Sequence, residues 1–348
     1  MKCCVECFKD GHIRNTIEKE GIIGECDYCS HKDVAVYDIT ITPNPIAEAI
    51  IGLVQIYSVS NLPEAKPLRT ALHDDWDIFN IDTATIQTLA HDLCNSFITS
   101  DSEIFKKNVI ISQLLDDDFM REFGVVRGLS WDRFANSIKY ENRFHSGMFN
   151  ADAFASFLSI IAKPYTAGIE LYRARIAHNS NGYVPSEMNA PREGERPAGR
   201  INPEGIGVLY LSSDDKTVLN EVRASTFDYV SIGRFRLLKD IKVVNLSGIS
   251  ETSPFMYQGE LEKYAANRKV FQEIAREIAK PLRRSDSPLE YLPTQYIAEF
   301  IKSQGYDGVE YASTLRKNGY NVAIFNEALF ECISVDTVEV TKILYEVK

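Results

Sequence analysis

Residues 198–223 read AGRINPEGIGVLYLSSDDKTVLNEVR. Gly199 and Gly205 open backbone shapes closed to other residues, and Arg200 between them offers a planar fork that suits a phosphate. Asn202 adds a donor and an acceptor. The run GVLYLSS then reads as a buried strand, and Asp214 or Asp215 can cap the helix KTVLNEVRA that follows. On that helix Val218 and Val222 stand four apart with Leu219 beside them, so these three are expected to pack on the strand. Glu221, three residues beyond Val218, falls at the edge of the buried face and can look into a cleft. The segment lacks the G-x-G-x-x-G order of a dinucleotide fingerprint and precedes a strand, and it is not a P-loop. Alone, its Gly and Asn residues mark a tight turn. The rest of the chain decides between turn and binding loop.

Upstream, GIELYRARI (168–176) is a predicted strand, and HNSNGYVPSEMNAPREGERPAGR (178–200) is a long polar loop of the kind that often binds. Downstream, VSIGRFRLL and IKVVNL are predicted strands, and ELEKYAANRKVFQEIAREIAK is an amphipathic helix stopped by Pro281. TQYIAEFIKSQG is a helix closed by glycine, DGVEYAS and NVAIFN are strands, and VEVTKILYEV is a final strand. This pattern predicts a mixed α+β domain over 166–348, without the regular alternation of a doubly wound sheet. Before it, IAEAIIGLVQIY, TATIQTLAHDLCNSFI, EIFKKNVIISQLL and ADAFASFLSIIAK carry helical periodicity. Residues 41–165 are therefore expected to form a helical domain, with SVSNLPEAKP as a break and Pro164 closing the last helix.

Five of the seven cysteines lie in the first 29 residues, and four of them spell Cys4-x2-Cys7, eighteen residues, Cys26-x2-Cys29. Two such knuckles complete a tetrahedral thiolate shell, so residues 1–40 are expected to be a zinc-ribbon-like segment holding structural zinc. Four thiolates leave no open position for catalysis at the metal. Cys3, His12 and His31 are competing ligands nearby, and a set of reduced cysteines is the alternative. DVAVYDITIT, just after, alternates like a strand.

Composition narrows the function. A net charge of -11 and a pI near 5.2 argue against a protein built to coat nucleic acid, which needs a basic face. No window approaches the roughly 20 apolar residues of a membrane span, and MKCCVECFKDGH has no apolar signal-peptide core. A cytoplasmic protein with no membrane partner is expected.

LYRARI (171–176), the quoted stretch, EYLPTQYIAEFIKSQGYDGVEYASTL (290–315) and GYNVAIF (319–325) follow one another in the order found in the RES domain, which residues 166–330 resemble. The helical segment resembles the HEPN-like domain of some longer RES proteins, although it has no R-x4-6-H pair. The resemblance implies a fold similar to ADP-ribosyltransferases and a toxin that destroys NAD by phosphorolysis or hydrolysis, or that transfers ADP-ribose. It implies catalytic roles for Arg173, Glu221 and Ser313. Arg175, on the same strand face, can replace Arg173, and Thr314 is the nearest substitute for Ser313, because YAST lacks the proline of the family's YPS. Arg200 matches the second family arginine.

The implied chemistry suits these residue types. Cleaving the nicotinamide–ribose bond passes through an oxocarbenium-like cation, which a carboxylate such as Glu221 stabilises. Paired arginines clamp a diphosphate. Arg200, Asn202 and Arg175, with Tyr210 and Tyr183 as stacking rings, are the expected NAD-binding residues. Expected partners are NAD, inorganic phosphate as an acceptor, and an antitoxin or other regulatory protein; an oligomer is compatible with all of this. The alternatives are an ADP-ribosyltransferase acting on a macromolecule and a non-enzymatic zinc-containing adaptor.

Overall fold

The computed structural model describes residues 1–95, 102–190, 197–248, 252–257, 260–281 and 287–343. Two compact units emerge: Met1–Gly124 with Glu251–Arg268, and Val125–Ser250 with Lys269–Lys348. The helices Trp131–Tyr140 and Ala151–Ile161 thus group with the second unit. Among the described residues no helix is long and apolar enough to cross a membrane.

In the first unit β1 (Lys2–Cys4), β2 (Ile22–Gly24) and β3 (Val34–Asp38) form a sheet in the order β1-β3-β2. The helix Gly11–Glu20 lies between β1 and β2. Asp10 caps it by accepting from the backbone of His12 and Ile13, and Ile13 and Ile17, four apart, are its buried stripe. The helices Pro45–Gln55, Leu68–Trp76 and Thr83–Cys94 follow. The helix expected over EIFKKNVIISQLL is not there. Its centre is β6 (Asn108–Ile111), flanked by short 3-10 turns and paired with β4 (Tyr57–Val59) and β5 (Lys66–Pro67). The β-branched run Val109-Ile110-Ile111 suits a pleated ladder better than a helix, and here tertiary pairing overrides the helical spacing.

The second unit is mixed α+β around one eight-stranded sheet. Its strands are β7 (Ala162–Tyr165), β8 (Glu170–Ala177), β9 (Leu209–Ser212), β10 (Tyr229–Leu237), β11 (Ile241–Asn245), β12 (Gly308–Ala312), β13 (Tyr320–Ile324) and β14 (Phe330–Glu339), in the order β14-β10-β8-β9-β13-β12-β11-β7. Only β11 and β12 run parallel. The helix Ala151–Ile161 stops two residues short of the expected end because β7 begins there, and Pro164 sits on an edge strand where its missing N–H costs nothing. β14 starts well before the predicted VEVTKILYEV, whose residues 344–347 lie outside the described residues, as do 191–196 of the long polar loop.

One face of the sheet carries an aliphatic core that includes Leu171, Leu209, Leu211, Phe235, Val243, Val322 and Ile324. Val244, Val309 and Ala323, which alternate with that set, are buried on the other face. An aromatic cluster, with Phe154 stacked on Phe271 at 5.1 Å and Phe149 edge-on to Phe300, knits the unit's helices together.

Candidate active site

Register places the polar residues of the site. Asn321 of β13 pairs with Ser212 of β9 and with Tyr311 of β12, while Ala323 pairs with Tyr210. Directly paired residues share a face and alternate residues along a strand return to it. Tyr210, Ser212, Tyr311 and Asn321 therefore all stand on the face opposite the aliphatic core. β8 and β9 are joined by the single pair Tyr172–Ser212. Beyond it the sheet opens, and Arg173 and Ala174 of β8 with Tyr210 and Ser212 of β9 line a cavity of about 280 Å³. A second cavity of about 420 Å³ is walled by the loop Pro197–Asn202 and the chain at Ile278–Pro281. Tyr210, Glu221, Tyr311 and Asn321 line both.

Glu221 reaches this junction from the helix Asp215–Val222. Asp214, not Asp215, is its cap, accepting from the backbone of Lys216 and Thr217. Thr217 and Val218 are the buried residues; Leu219 and Val222, expected to pack beside Val218, are half-buried, and Glu221 is half-buried at the edge of that face. Its Oε1 accepts from Ser313 Oγ at 2.7 Å and from Asn321 Nδ2 at 2.9 Å. Asn321 Oδ1 in turn accepts from Ser212 Oγ at 2.6 Å. This chain fixes one carboxylate oxygen and uses neither lone pair of Oε2. Ser313, not Thr314, makes the contact, because Thr314 donates to the carbonyl of Ala279 at 3.4 Å. Burial, with Tyr210 and Glu221 close by, pushes the Tyr311 hydroxyl well above its ordinary range.

The arginines differ in how they are held. Arg173 Nη1 donates to the Tyr210 carbonyl at 3.3 Å, while its buried Nε has no hydrogen-bond partner among the described residues. Burial first, and the charge of Arg175 second, bring its pKa down to about 10. A guanidinium kept under such strain beside a cavity is poised to gain from an anion. Arg200 is 7% exposed; its Nε donates to the Lys280 carbonyl at 2.8 Å and its guanidinium lies 5.3 Å from the Tyr291 ring centre.

Asn202 lines the larger cavity, yet its side chain serves the loop. Nδ2 donates to the carbonyls of Pro197, Pro203 and Ile206, and Oδ1 accepts from the Tyr210 hydroxyl at 2.7 Å. A Cβ at position 199 would come within 2.7 Å of Asn202 Oδ1 and 2.9 Å of the Tyr210 oxygen, which is why glycine stands there. Arg175 and Tyr183 line neither cavity: the guanidinium packs 4.4 Å from the Tyr183 ring centre and donates to the Glu187 carbonyl. The structure adds residues that sequence reasoning missed, namely Ser212, Tyr311, Asn321, Arg223 and Lys280. Arg223 ends the Glu221 helix in the left-handed region (φ 52°, ψ 44°) and lines the larger cavity.

In the first unit the sulfurs of Cys4, Cys7, Cys26 and Cys29 all lie within 4.8 Å of one another. Their contacts run from 3.3 to 3.7 Å. A regular tetrahedron with Zn–S of about 2.3 Å has edges of about 3.8 Å, so the donor set fits a small tetrahedral cation. Cys3 stands apart from the cluster, and burial pushes its thiol up to about 12. His31 Nδ1 is 3.1 Å from Cys29 Sγ, beside the cluster. Both knuckles are tied onward. The Cys7 carbonyl accepts from Asn80 N at 2.9 Å, and the Tyr28 hydroxyl donates to Asp92 at 2.9 Å, so the cluster brackets the helix Thr83–Cys94.

Fold and site together describe a mixed α+β domain with a polar cleft built where its sheet parts. Residues 170–343, half of the chain, match the RES domain, and the chain belongs to the RES domain family. Among solved structures, the crystal structure of the M. tuberculosis MbcT–MbcA toxin–antitoxin complex is similar over 53% of this chain and 91% of that chain, at 12% identity and a TM-score of 0.31. No curated protein matches the chain.

Proposed function

We propose that the second unit is an NAD-consuming enzyme of the toxin or effector kind, which cleaves the bond between nicotinamide and ribose. The observation that carries this reading is the place of Glu221, on the wall common to two cavities, with Arg173 in one and Arg200 in the other. Cavities of about 280 and 420 Å³ are of small-molecule size. An elongated dinucleotide laid across them has its scissile bond at the carboxylate and its diphosphate within reach of guanidinium groups. Arg223 adds positive charge to the larger cavity, while the Lys280 ammonium pairs with Glu277 at 3.3 Å.

In the reaction the C1′–N bond breaks, its electron pair leaves with neutral nicotinamide, and positive charge grows on the ribose. Ser313 and Asn321 hold Glu221 by one oxygen, which leaves the other to face that charge; a preorganised carboxylate costs no reorientation at the transition state. Water or phosphate then attacks C1′ and loses a proton to solvent. The half-buried guanidinium of Arg173 is relieved by an anion in ground and transition states alike, so its part is binding. The cysteine cluster is read as a structural zinc centre in which all four positions are filled by protein.

Incubation of the purified protein with NAD, with and without phosphate, tests the reading by its products. Nicotinamide with free ADP-ribose, or with its phosphorylated form, supports it. ADP-ribose retained on protein shifts the assignment to transfer. Intact NAD sinks it.

A further inference from the structure

The loop that carries Ser313 is held by a residue outside both cavities, Arg316. Ser313 follows β12, and the chain returns at β13 with Asn321, so this one hairpin supplies both donors to Glu221. Within its turn, Ser313 N donates to the Gly319 carbonyl at 2.8 Å and Gly319 N to the Arg316 carbonyl at 3.2 Å. Arg316 Nη1 crosses to the opposite end of the Glu221 helix, where it pairs with the carboxylate of Asp214 and touches Thr217 Oγ1 at 3.3 Å. Asp214 is already the helix cap and also accepts from the hydroxyls of Ser213 and Thr217, each at 2.8 Å. Hairpin and helix are packed tightly between these points, since a Cβ on Gly319 would lie 2.6 Å from Thr217 Oγ1.

We infer that Arg316 is a positioning residue for Glu221: by pinning the hairpin to Asp214 it sets the reach of Ser313 to the carboxylate at the helix's other end. Helix Asp215–Val222 is only eight residues long, so a shift at either clamp is transmitted to the other. The ion pair is a third exposed on both sides, and such pairs contribute little to stability. Its effect is therefore expected in geometry rather than in melting temperature. This inference rests on the catalytic reading of Glu221, but the clamp itself has a readout that does not.

The test compares Arg316→Ala, Arg316→Lys, Ser313→Ala and the double variant Arg316→Ala/Ser313→Ala. In NAD consumption, Arg316→Ala is expected to lower kcat roughly 5- to 30-fold with KM within about twofold, because only transition-state contacts are lost. The double variant should be no slower than Ser313→Ala alone, since both act through one contact. Arg316→Lys should recover part of the rate, and melting temperature should fall by no more than about 3 °C. Amide exchange at residues 313–320 should quicken at least about tenfold in Arg316→Ala. Multiplicative rate losses in the double variant, wild-type turnover in Arg316→Ala, or unchanged exchange in the hairpin each overturn the inference. If the wild-type protein leaves NAD intact, the functional reading fails, and exchange alone decides the clamp.

Discussion

Glu221→Gln separates charge from shape at the centre of the site. Both protein hydrogen bonds fall on Oε1, from Ser313 at 2.7 Å and Asn321 at 2.9 Å. A glutamine can keep its carbonyl oxygen in that place and retain both. What it loses is the negative charge on the atom that neither neighbour uses, replaced by an amide that would face a forming cation with its positive end. Packing is untouched, since Thr217 and Val218 carry the buried face of the helix. Removing one preorganised electrostatic contact costs on the order of 100- to 1,000-fold in kcat, about 3 to 4 kcal/mol of transition-state stabilisation. KM should stay within about threefold, because in ground-state NAD the positive charge sits on the nicotinamide ring and moves onto the ribose beside the carboxylate only in the transition state. The assay is nicotinamide release followed by chromatography across an NAD series, with melting temperature as the control for folding. Turnover within about threefold of wild type, at an unchanged melting temperature, would refute the argument. So would a loss confined to KM.

Arg173→Met should raise KM at least about tenfold while holding or raising the melting temperature, because burial and the nearby Arg175 charge, which bring the Arg173 pKa down to about 10, weigh against the folded cation and methionine removes that cation. A parallel drop in stability would show Arg173 to be a fold residue. Arg200→Ala should raise KM and also lower stability, by about 1 kcal/mol, because the side chain bonds Lys280 and covers Tyr291; Arg200→Lys should recover only part of the affinity. Zinc should be present at about one equivalent per chain by elemental analysis, and its chelation should quicken amide exchange not only in residues 1–40 but also at Asn80, which the first knuckle bonds, and in Thr83–Cys94, which the second knuckle bonds through Asp92. Exchange confined to the knuckles would refute that coupling.

Strands and the Glu221 helix were readable because their signals are local. GVLYLSS and IKVVNL are short apolar runs between turns, and the aspartate pair directly before KTVLNEVRA, of which Asp214 caps the helix, is a cap signal. The four cysteines were readable because knuckle spacing is dictated by a metal's radius. What stayed hidden depends on register. Asn321 and Tyr311 lie in runs that look like any buried strand, and Asn321 becomes a hydrogen-bond partner of Glu221 and Tyr311 a wall of its cavities only because β9, β13 and β12 pair as they do. Arg223 was hidden by its backbone, since a left-handed residue turns its side chain where helical periodicity does not point. Gly11–Glu20 was overlooked between its cysteines, although Asp10 and the Ile13–Ile17 spacing mark it. Asn202 lines the larger cavity as the sequence suggested, but its Nδ2 bonds to three carbonyls of its own loop, local contacts that its residue type alone does not reveal.

The seam between β8 and β9 bears on how this protein resists heat. One residue pair, Tyr172–Ser212, is all the main-chain ladder that joins the strands β14, β10 and β8 to the remaining five. A molecule seated in the adjoining cavities touches both banks of that seam and so acts as mortar between two courses of brick. A ligand that binds only the closed, folded arrangement adds about 2.7 kcal/mol at a hundred times its Kd. Thermal-shift screening therefore becomes a direct way to find what fills the cleft, with Glu221 variants serving as well as the wild-type protein, and the strands flanking the seam should report occupancy before any other part of the sheet.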